Sequence, residues 1–302
     1  MKQDFPKLGI GLLCRLFGKT RHAYYDALWR KENKIIKEDL LLKEINSIRK
    51  SLPKLGTRKL HYLLKNKLAE HNVSIGRDYL FNLLSERGLL IRQRKRKAIT
   101  TNSRHWMKKY SNLIKEMTIT RPEQVWVSDI TYIKMINQWG YLSLITDAYS
   151  RKIIGFSFRM DMTAQGCIDA LQMALSNKIY TKPMIHHSDR GSQYCSKKYV
   201  GILIKNNTAI SMTENGDPYE NAIAERVNGI LKTEFNLHTS TLGFEKTYEY
   251  IIKSIHNYNS IRPHASCDYL TPNQAHLENT ELKKRWKNYY KKYNPKMTVQ
   301  SF

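Results

Sequence analysis

The chain reads as an α/β protein whose sheet-bearing part follows an all-helical region, and three observations lead there. From Gln124 onward, short runs rich in valine, isoleucine and aromatics alternate with stretches of helical periodicity, in the order β-β-β-α-β-α-β-α. Before residue 92 the apolar residues recur only at helical spacing. The 302 residues, 41% of them hydrophobic, are enough for a full core and favour two domains or one domain with appendages. Lysine and arginine number 51 against 26 acidic residues, a net charge of +25, which points to a polyanionic partner. No run approaches the length of a membrane span, and the apolar stretch Leu8 to Phe17 is broken by Arg15 and lacks a cleavage-site pattern. A cytoplasmic protein is expected. Cys14, Cys167, Cys195 and Cys267 are scattered without a C-x-x-C pair, which argues against a disulfide framework or a structural zinc site and leaves them as packing residues.

In chain order, Leu8 to Phe17 predicts a helix, Gly18 a turn, and Thr20 the N-cap of a second helix bearing Arg21, His22, Tyr24 and Tyr25. A helix-turn-helix and a plain helical hairpin both fit this segment, taken as residues 1–33. Ile35 to Lys50 is a further periodic helix, broken at Ser51-Leu52-Pro53, and Thr57 to Asn66 with Gly76 to Arg87 forms another helical pair that ends at Gly88. These make a helical module over 34–91, with Arg58 and Lys59 as a basic pair suited to DNA. Next, Arg92-Gln93-Arg94-Lys95-Arg96-Lys97 places five positive charges in six residues at the head of a linker, 92–121, where Arg92, Arg94, Lys95 and Arg96 can track phosphates.

Gln124 to Met135 reads as a buried strand with Asp129 in its middle, where a charge is costly unless paired or bound to a metal. Strands at Trp139 to Thr146 and Lys152 to Arg159 follow around the turn Asp147 to Arg151, then a helix at Thr163 to Asn177 and a fourth strand at Met184 to Ser188. Should that fourth strand return parallel beside the first, Asp129 and Asp189 meet near the carboxyl side of the sheet, where sites in α/β folds collect. His186 and His187 sit in this strand, either as core residues or as tuners of Asp189.

A helix from Lys197 to Asn206 and a strand from Ala209 to Met212 lead to a last strong signal. Asp217 as N-cap, Pro218 at the first position and Glu220 completing a capping box predict a helix start. On that helix Asn221, Glu225, Asn228 and Lys232 share one face, and Ile223, Val227, Ile230 and Leu231 the other. Two asparagines in a helix interior are not explained by propensity. Glu225 and Lys232 stand about 10.5 Å apart along the axis, a spacing that suits a metal-holding carboxylate and a phosphate-holding amine on one strand. Thr247 to Tyr258 is another helix, and Thr271-Pro272-Asn273-Gln274 marks a turn-rich tail closing a domain over 122–280. Lys283 to Lys292, in an extension over 281–302, mixes basic and aromatic residues and fits either nucleic-acid contact or a solvated helix.

The set Asp129, Asp189 and Glu225, with 35 residues between the last two and Lys232 seven further on, resembles the DDE triad of transposases and retroviral integrases. Four stretches extend the likeness to the OrfB-type transposases of bacterial insertion sequences. These are Trp126-Val127-Ser128-Asp129-Ile130-Thr131-Tyr132, Asp147-Ala148-Tyr149-Ser150-Arg151, His187-Ser188-Asp189-Arg190-Gly191-Ser192-Gln193-Tyr194 and Tyr258-Asn259-Ser260-Ile261-Arg262-Pro263-His264. Two departures are visible: Gly216-Asp217-Pro218-Tyr219-Glu220-Asn221-Ala222 where the family often has Gly-Asn-Cys-Tyr-Asp-Asn-Ala, and Leu55-Gly56-Thr57-Arg58-Lys59 in place of Tyr-Gly-Tyr-Arg-Arg.

The resemblance implies a ribonuclease H-like catalytic core with a mixed five-stranded sheet, preceded by helix-turn-helix-type modules. It implies DNA cleavage at element ends and strand transfer, with Asp129, Asp189 and Glu225 as catalytic residues and ligands of two Mg²⁺ or Mn²⁺ ions. Lys232, Asn228 and Arg151 join the basic residues above as DNA contacts. Partners implied are duplex DNA (terminal repeats and target), further copies of the chain on that DNA, and an upstream helix-turn-helix protein joined by frameshifting, in a bacterial, nucleoid-associated setting. Two rivals stand beside it. A plain nuclease of the same fold does not need Lys232 or the upstream helices, and a non-catalytic DNA-binding regulator or inhibitor has no use for all three carboxylates.

Overall fold

A computed structural model describes residues 5–91, 106–115, 117–136, 138–214, 221–238, 240–278, 280 and 282. The expectations for Arg92, Arg94, Lys95 and Arg96, for the capping box at Asp217 to Glu220, and for the basic aromatic segment 283–292 lie outside the described residues. Among the described residues no helix is long and apolar enough to cross a membrane.

The five strands are β1 (Val125–Lys134), β2 (Trp139–Asp147), β3 (Ile153–Arg159), β4 (Met184–Ser188) and β5 (Thr208–Met212), in the order β3-β2-β1-β4-β5. β1 to β3 form the expected antiparallel meander, and β4 and β5 add on in parallel. The sheet changes from antiparallel to parallel where β4 enters beside β1, after the chain has crossed one face as a helix. That helix (Ala164–Ser176) lies so close to β3 that a Cβ built on Gly155 would stand 2.1 Å from the carbonyl oxygen of Ala170. Only glycine permits this approach.

The helices number α1 (Ile10–Leu16), α2 (Arg21–Ser51), α3 (Thr57–Ala69), α4 (Arg77–Glu86), α5 (Ala164–Ser176), α6 (Lys197–Lys205), α7 (Ala222–Glu234), α8 (Phe244–Ser260) and α9 (Pro272–Leu277). Three differ from the sequence reading. Thr20 caps α2 as expected, its hydroxyl accepting from the Ala23 N–H at 3.1 Å. The helix then continues for 31 residues, through the boundary expected at 33/34, because neither glycine nor proline interrupts it before Pro53. The helix expected from Asp217 is described from Ala222. Asn221 stands outside it, with φ −119° and ψ 25°, and its Nδ2 donates to the Ser128 carbonyl at 3.0 Å. Lastly, Thr271 to Gln274 opens α9 through a capping box: the Thr271 hydroxyl takes the Gln274 N–H, and the Gln274 side chain takes the Thr271 N–H.

The upstream helices and the sheet share one apolar core. Leu41, Ile45, Leu52, Leu55, Leu60, Leu64 and Leu80 belong to the same cluster as Leu142, Val227, Leu231, Phe235, Ile255 and Tyr258. The expected modules are therefore not separate bodies at this seam. Polar contacts lock it: the Lys54 N–H donates to the Glu234 carbonyl (2.9 Å), Asn257 Nδ2 to the Ser51 carbonyl (3.0 Å), and the rings of Tyr62 and Tyr269 stack at 4.8 Å.

At the centre of the seam Glu234, the last residue of α7, accepts two bonds from Arg262 at 2.8 Å and one from Lys59 at 3.0 Å. Burial alone would raise the Glu234 pKa, but Arg262 and Lys59 outweigh it and hold it at about 2. Lys59, expected as a DNA contact, is instead half-buried in this pair, because a charge drawn into an apolar seam must find its counter-charge there. Burial, and Arg262 beside it, lower its pKa to about 8.

Glu234→Gln leaves Arg262, 1% exposed, without its counter-charge and should cost about 3–5 kcal/mol in urea unfolding at pH 7. The lowered Glu234 pKa makes its contribution present above the ordinary carboxylate range and lost as pH falls toward 2, so the gap between mutant and wild type should close over that window. A cost under about 1 kcal/mol at pH 7 would show that the pair does not hold the seam.

Candidate active site

Asp129 comes from the middle of β1, the central strand of the sheet. β4 pairs with β1 in parallel through Val127 and His187, and the same register carried two residues onward sets Asp129 level with Asp189, just past the end of β4. The sheet thus brings the two aspartates together as the strand pattern predicts. Asp189 is fixed locally by its Oδ1, which accepts the Gly191 N–H at 3.0 Å. A Cβ on Gly191 would press within 3.0 Å of that oxygen.

Asp129 is held on both oxygens. Its Oδ1 takes the Ile130 N–H (2.9 Å) and its Oδ2 takes Nδ2 of Asn228 (2.8 Å). Burial pushes its pKa up to about 7, and the charges of Asp189 and then Glu225 push the same way, while the bonds from Asn228 and Ile130 pull down. A neighbouring carboxylate raises a carboxyl group's pKa only when it lies near enough to act on it, which puts Asp189 and, more weakly, Glu225 in the neighbourhood of Asp129. Glu225 is exposed on the first turn of α7. Lys232 is half-buried on the same helix: burial lowers its pKa, and Asp129 opposes that shift.

The polar stripe of α7 differs from a solvent-facing edge. Asn228 and Asn221 are both buried, one bonded to Asp129 and the other to the backbone beside it, so these asparagines fasten α7 to β1. Asn228, expected as a DNA contact, is buried here with its amide donated to Asp129, because a carboxylate drawn under a packed helix needs a donor there. Of the opposite stripe, Val227, Ile230 and Leu231 are buried in the core as expected, and Ile223 is half-buried.

His186 is a sheet-interior residue. Its Nε2 lies 2.7 Å from Ser128 Oγ and 2.9 Å from the Tyr199 hydroxyl, and burial, with His187 adding to it, lowers its pKa to about 3, so it is neutral. His187 Nδ1 lies 2.8 Å from Ser211 Oγ. All four cysteines are buried and free; burial pushes the Cys167 thiol up to about 12. Arg58 is exposed on α3. Arg151 occupies the turn after β2 with φ 67°, its guanidinium bonded to the Ala148 carbonyl and its own carbonyl accepting from the Tyr258 hydroxyl at 2.9 Å. It lines a cavity of about 590 Å³ together with Arg226, Arg262 and His264, residues to which the sequence reading assigned no role.

Three carboxylates supply oxygen donors only, which suits a hard divalent cation. Among the described residues no group of three or more histidine, cysteine, aspartate or glutamate side chains is placed to hold a metal ion as it stands. The charges of Asp189 and Glu225 push the Asp129 pKa up, a repulsion that a cation between the groups would relieve.

Because the folded-state pKa of Asp129 is raised, its contribution to stability is present below the ordinary carboxylate range and lost as pH rises through about 7. Asp129→Asn removes that charge. In metal-free buffer the variant should melt above wild type by a margin that grows between pH 4 and pH 8, as read by calorimetry. A margin that does not change with pH would mean that Asp129 carries no such burden.

Two models of the integrase core domain match the chain, over residues 119–218 and 206–272. A 31 kDa protein of insertion element IS600 from Shigella sonnei is 33% identical over 270 residues, covering 86% of this chain and 96% of that protein. The transposase InsF of insertion sequence IS3A from Escherichia coli is 38% identical over 159 residues, 52% of this chain and 55% of the relative. Here the chain spans about half the length of its relative. Among solved structures, the catalytic core domain of HTLV-2 integrase in complex with magnesium is 22% identical, with a TM-score of 0.42, over 52% of this chain and 97% of that one. The simian T-cell lymphotropic virus intasome is 19% identical with a TM-score of 0.47, over 74% and 75%. With the mixed sheet, the level aspartates and a relative matched along nearly its whole length, the chain belongs to the integrase-core transposases of bacterial insertion sequences.

Proposed function

We propose that Asp129, Asp189 and Glu225 together hold two Mg²⁺ or Mn²⁺ ions, and that at this centre the chain performs the DNA cleavage and strand transfer of its family. The observation that carries the reading is the parallel register of β1 and β4, which sets the two aspartates level beneath a helix whose Glu225 acts on Asp129. When bound, the ions would activate the attacking oxygen and stabilise the leaving one, with water as nucleophile for the cut and a freed 3′-hydroxyl for the joining.

The chain's own residues do the positioning. Asn228 turns one oxygen of Asp129 toward α7, the Gly191 N–H restrains Asp189, and the strands beneath keep both from swinging away. Lys232 carries its amine along the same helix face toward a phosphate of the strand being cut. The partner is duplex DNA at element ends and target, in keeping with a charge of +25, and joining two ends in one event calls for more than one copy of the chain. Arg92, Arg94, Lys95 and Arg96 would add sequence-independent phosphate contacts between the upstream helices and the centre.

Glu225→Gln keeps size and helix propensity but loses the charge, so it should abolish cleavage and joining while leaving DNA binding intact. Lys232→Ala removes a phosphate contact and no metal ligand, so its single-turnover cleavage should fall by about 10²-fold without a change in Mn²⁺ dependence. Near-normal cleavage by Glu225→Gln would end the triad assignment. Full rescue of Lys232→Ala by excess Mn²⁺ would move the lysine's role to the ions. The assay uses labelled element-end DNA, with and without any product encoded just upstream.

A second outcome concerns protons. Asp129 must lose the proton it holds up to about pH 7 before it can take a cation, so apparent Mn²⁺ affinity should rise with pH to about 7 and then level off. Calorimetric titration in buffers of different ionisation enthalpy would count the proton released. A pH-independent affinity with no proton release is incompatible with Asp129 as a ligand.

A further inference from the structure

The pairing of β1 with β4 runs from Val125–Ile185 through Trp126–His186 to Val127–His187, and it stops two residues short of both Asp129 and Asp189. Past that point a side chain takes over. The Nε2 of His186 lies 2.7 Å from Oγ of Ser128, the residue before Asp129, and 2.9 Å from the hydroxyl of Tyr199 on α6. In the parallel register Ser128 is level with Ser188, so its contact with His186 crosses the two strands diagonally and resists their sliding past each other. The Ser128 carbonyl accepts from Asn221 at the start of α7, which ties this one residue to α7 as well as to β4.

Asp189 is tied to the same ring. The chain leaving it turns back through Gly191, whose N–H donates to Asp189 Oδ1 and whose carbonyl accepts the Tyr194 N–H, both at 3.0 Å. Tyr194, 2% exposed, sets its ring 6.4 Å from that of His186 and edge-on to Tyr199 at 5.4 Å, and Tyr199 meets His186 edge-on at 5.4 Å. The supports of both aspartates thus converge on one imidazole. Ser128, His186 and Tyr199 are all buried, against a core that includes Trp126, Ile145, Leu171 and Met212. Such a core does not need three polar groups for its stability, because apolar side chains of the same shape fill it about as well. What they add is direction, since a hydrogen bond fixes an angle and a distance that apolar packing leaves loose.

We propose that His186 is a positioning residue for the carboxylate pair: held by Ser128, Tyr199 and Tyr194, it fixes how far Asp129 stands from Asp189, and so how two cations between them would be spaced. It acts through its neighbours rather than on the carboxylates themselves. The inference rests on the reading of Asp129 and Asp189 as metal ligands, and it gives the interior of the sheet a part in the chemistry at its edge.

The test loads the full chain with Mn²⁺, reading uptake from the loss of the free-ion paramagnetic resonance signal and the spacing of bound ions from their magnetic coupling. His186→Leu keeps an apolar filling and removes the hydrogen bonds, so it should weaken Mn²⁺ uptake by about tenfold and alter the coupled spectrum. His186→Gln brings an amide to the same region and should recover part of both. Tyr199→Phe removes one hydroxyl and keeps the ring packing; it should move both readouts the same way by a smaller factor, and it carries the test should His186→Leu fail to fold. Leu64→Ala opens the buried upstream core, away from the carboxylates, and should lower the melting temperature while leaving uptake and spectrum unchanged. In EDTA, amide hydrogen exchange over residues 189–194 should quicken in His186→Leu and slow again in His186→Gln. Wild type that does not take up two coupled ions would overturn the metal reading and this inference with it. Wild-type uptake and spectrum in the His186 and Tyr199 variants, a shift as large in Leu64→Ala, or unchanged exchange in His186→Leu would overturn this inference alone.

Discussion

The buried ion pair between Arg262 and Glu234 is the constraint on which the placement of α7 depends. A guanidinium 1% exposed is tolerable only with its charge answered in place, and both carboxylate oxygens answer it, so the carboxyl end of α7 cannot shift without exposing an unpaired cation. The same carboxylate takes Lys59 from α3, and its backbone carbonyl takes the N–H of Lys54. One residue therefore anchors the helix that carries Glu225 and docks the upstream helices. At the other end of the helix Asn221 and Asn228 tie it to β1. Glu225 stands between these anchors.

The far end of the sheet repeats this logic with different groups. Glu123 and Asp147, both fully buried, accept from the backbone N–H groups of Ile179, Tyr180, Ser150 and Glu123 and face His276 of α9 at 3.4 and 3.5 Å. Burial would raise the Glu123 pKa, but His276 and the two N–H groups lower it instead. The same acidic partners lift His276 against the pull of its own burial. This network closes the tail of the chain onto the start of the meander. Its charges answer one another within the fold, whereas at Asp129 the neighbouring carboxylates raise the pKa.

The helical region and the sheet form one continuous core, which sets what the upstream helices can do. A module joined through Leu52, Leu55, Leu60 and Phe235 moves with the sheet, so whatever its exposed face holds is presented to the proposed centre in a set orientation. The exposed part of α2 and the exposed Arg58 of α3 point away from this core and remain open to a partner. Lys59, one residue on, does not.

Much of this protein was determined by its sequence alone. Strand and helix periodicity placed the five strands and the helices α5 to α8 within a few residues and missed only α9, and the isolated Asp129 in an apolar strand, Asp189 after another and Glu225 on an amphipathic helix pointed to the proposed site. These features are local, set by side-chain period, turn residues and the cost of burying charge. Only the tertiary structure decided which polar groups would be consumed in holding it together. Lys59 and Asn228 look like DNA contacts in one dimension because a charge or amide on a helix face carries no mark of what packs against it; the fold gave the first to Glu234 and the second to Asp129. Likewise the cavity around His264 joins residues from α3, the turn after β2, α7 and the segment after α8, far apart in the chain, and the field they create exists only once the core has brought them together.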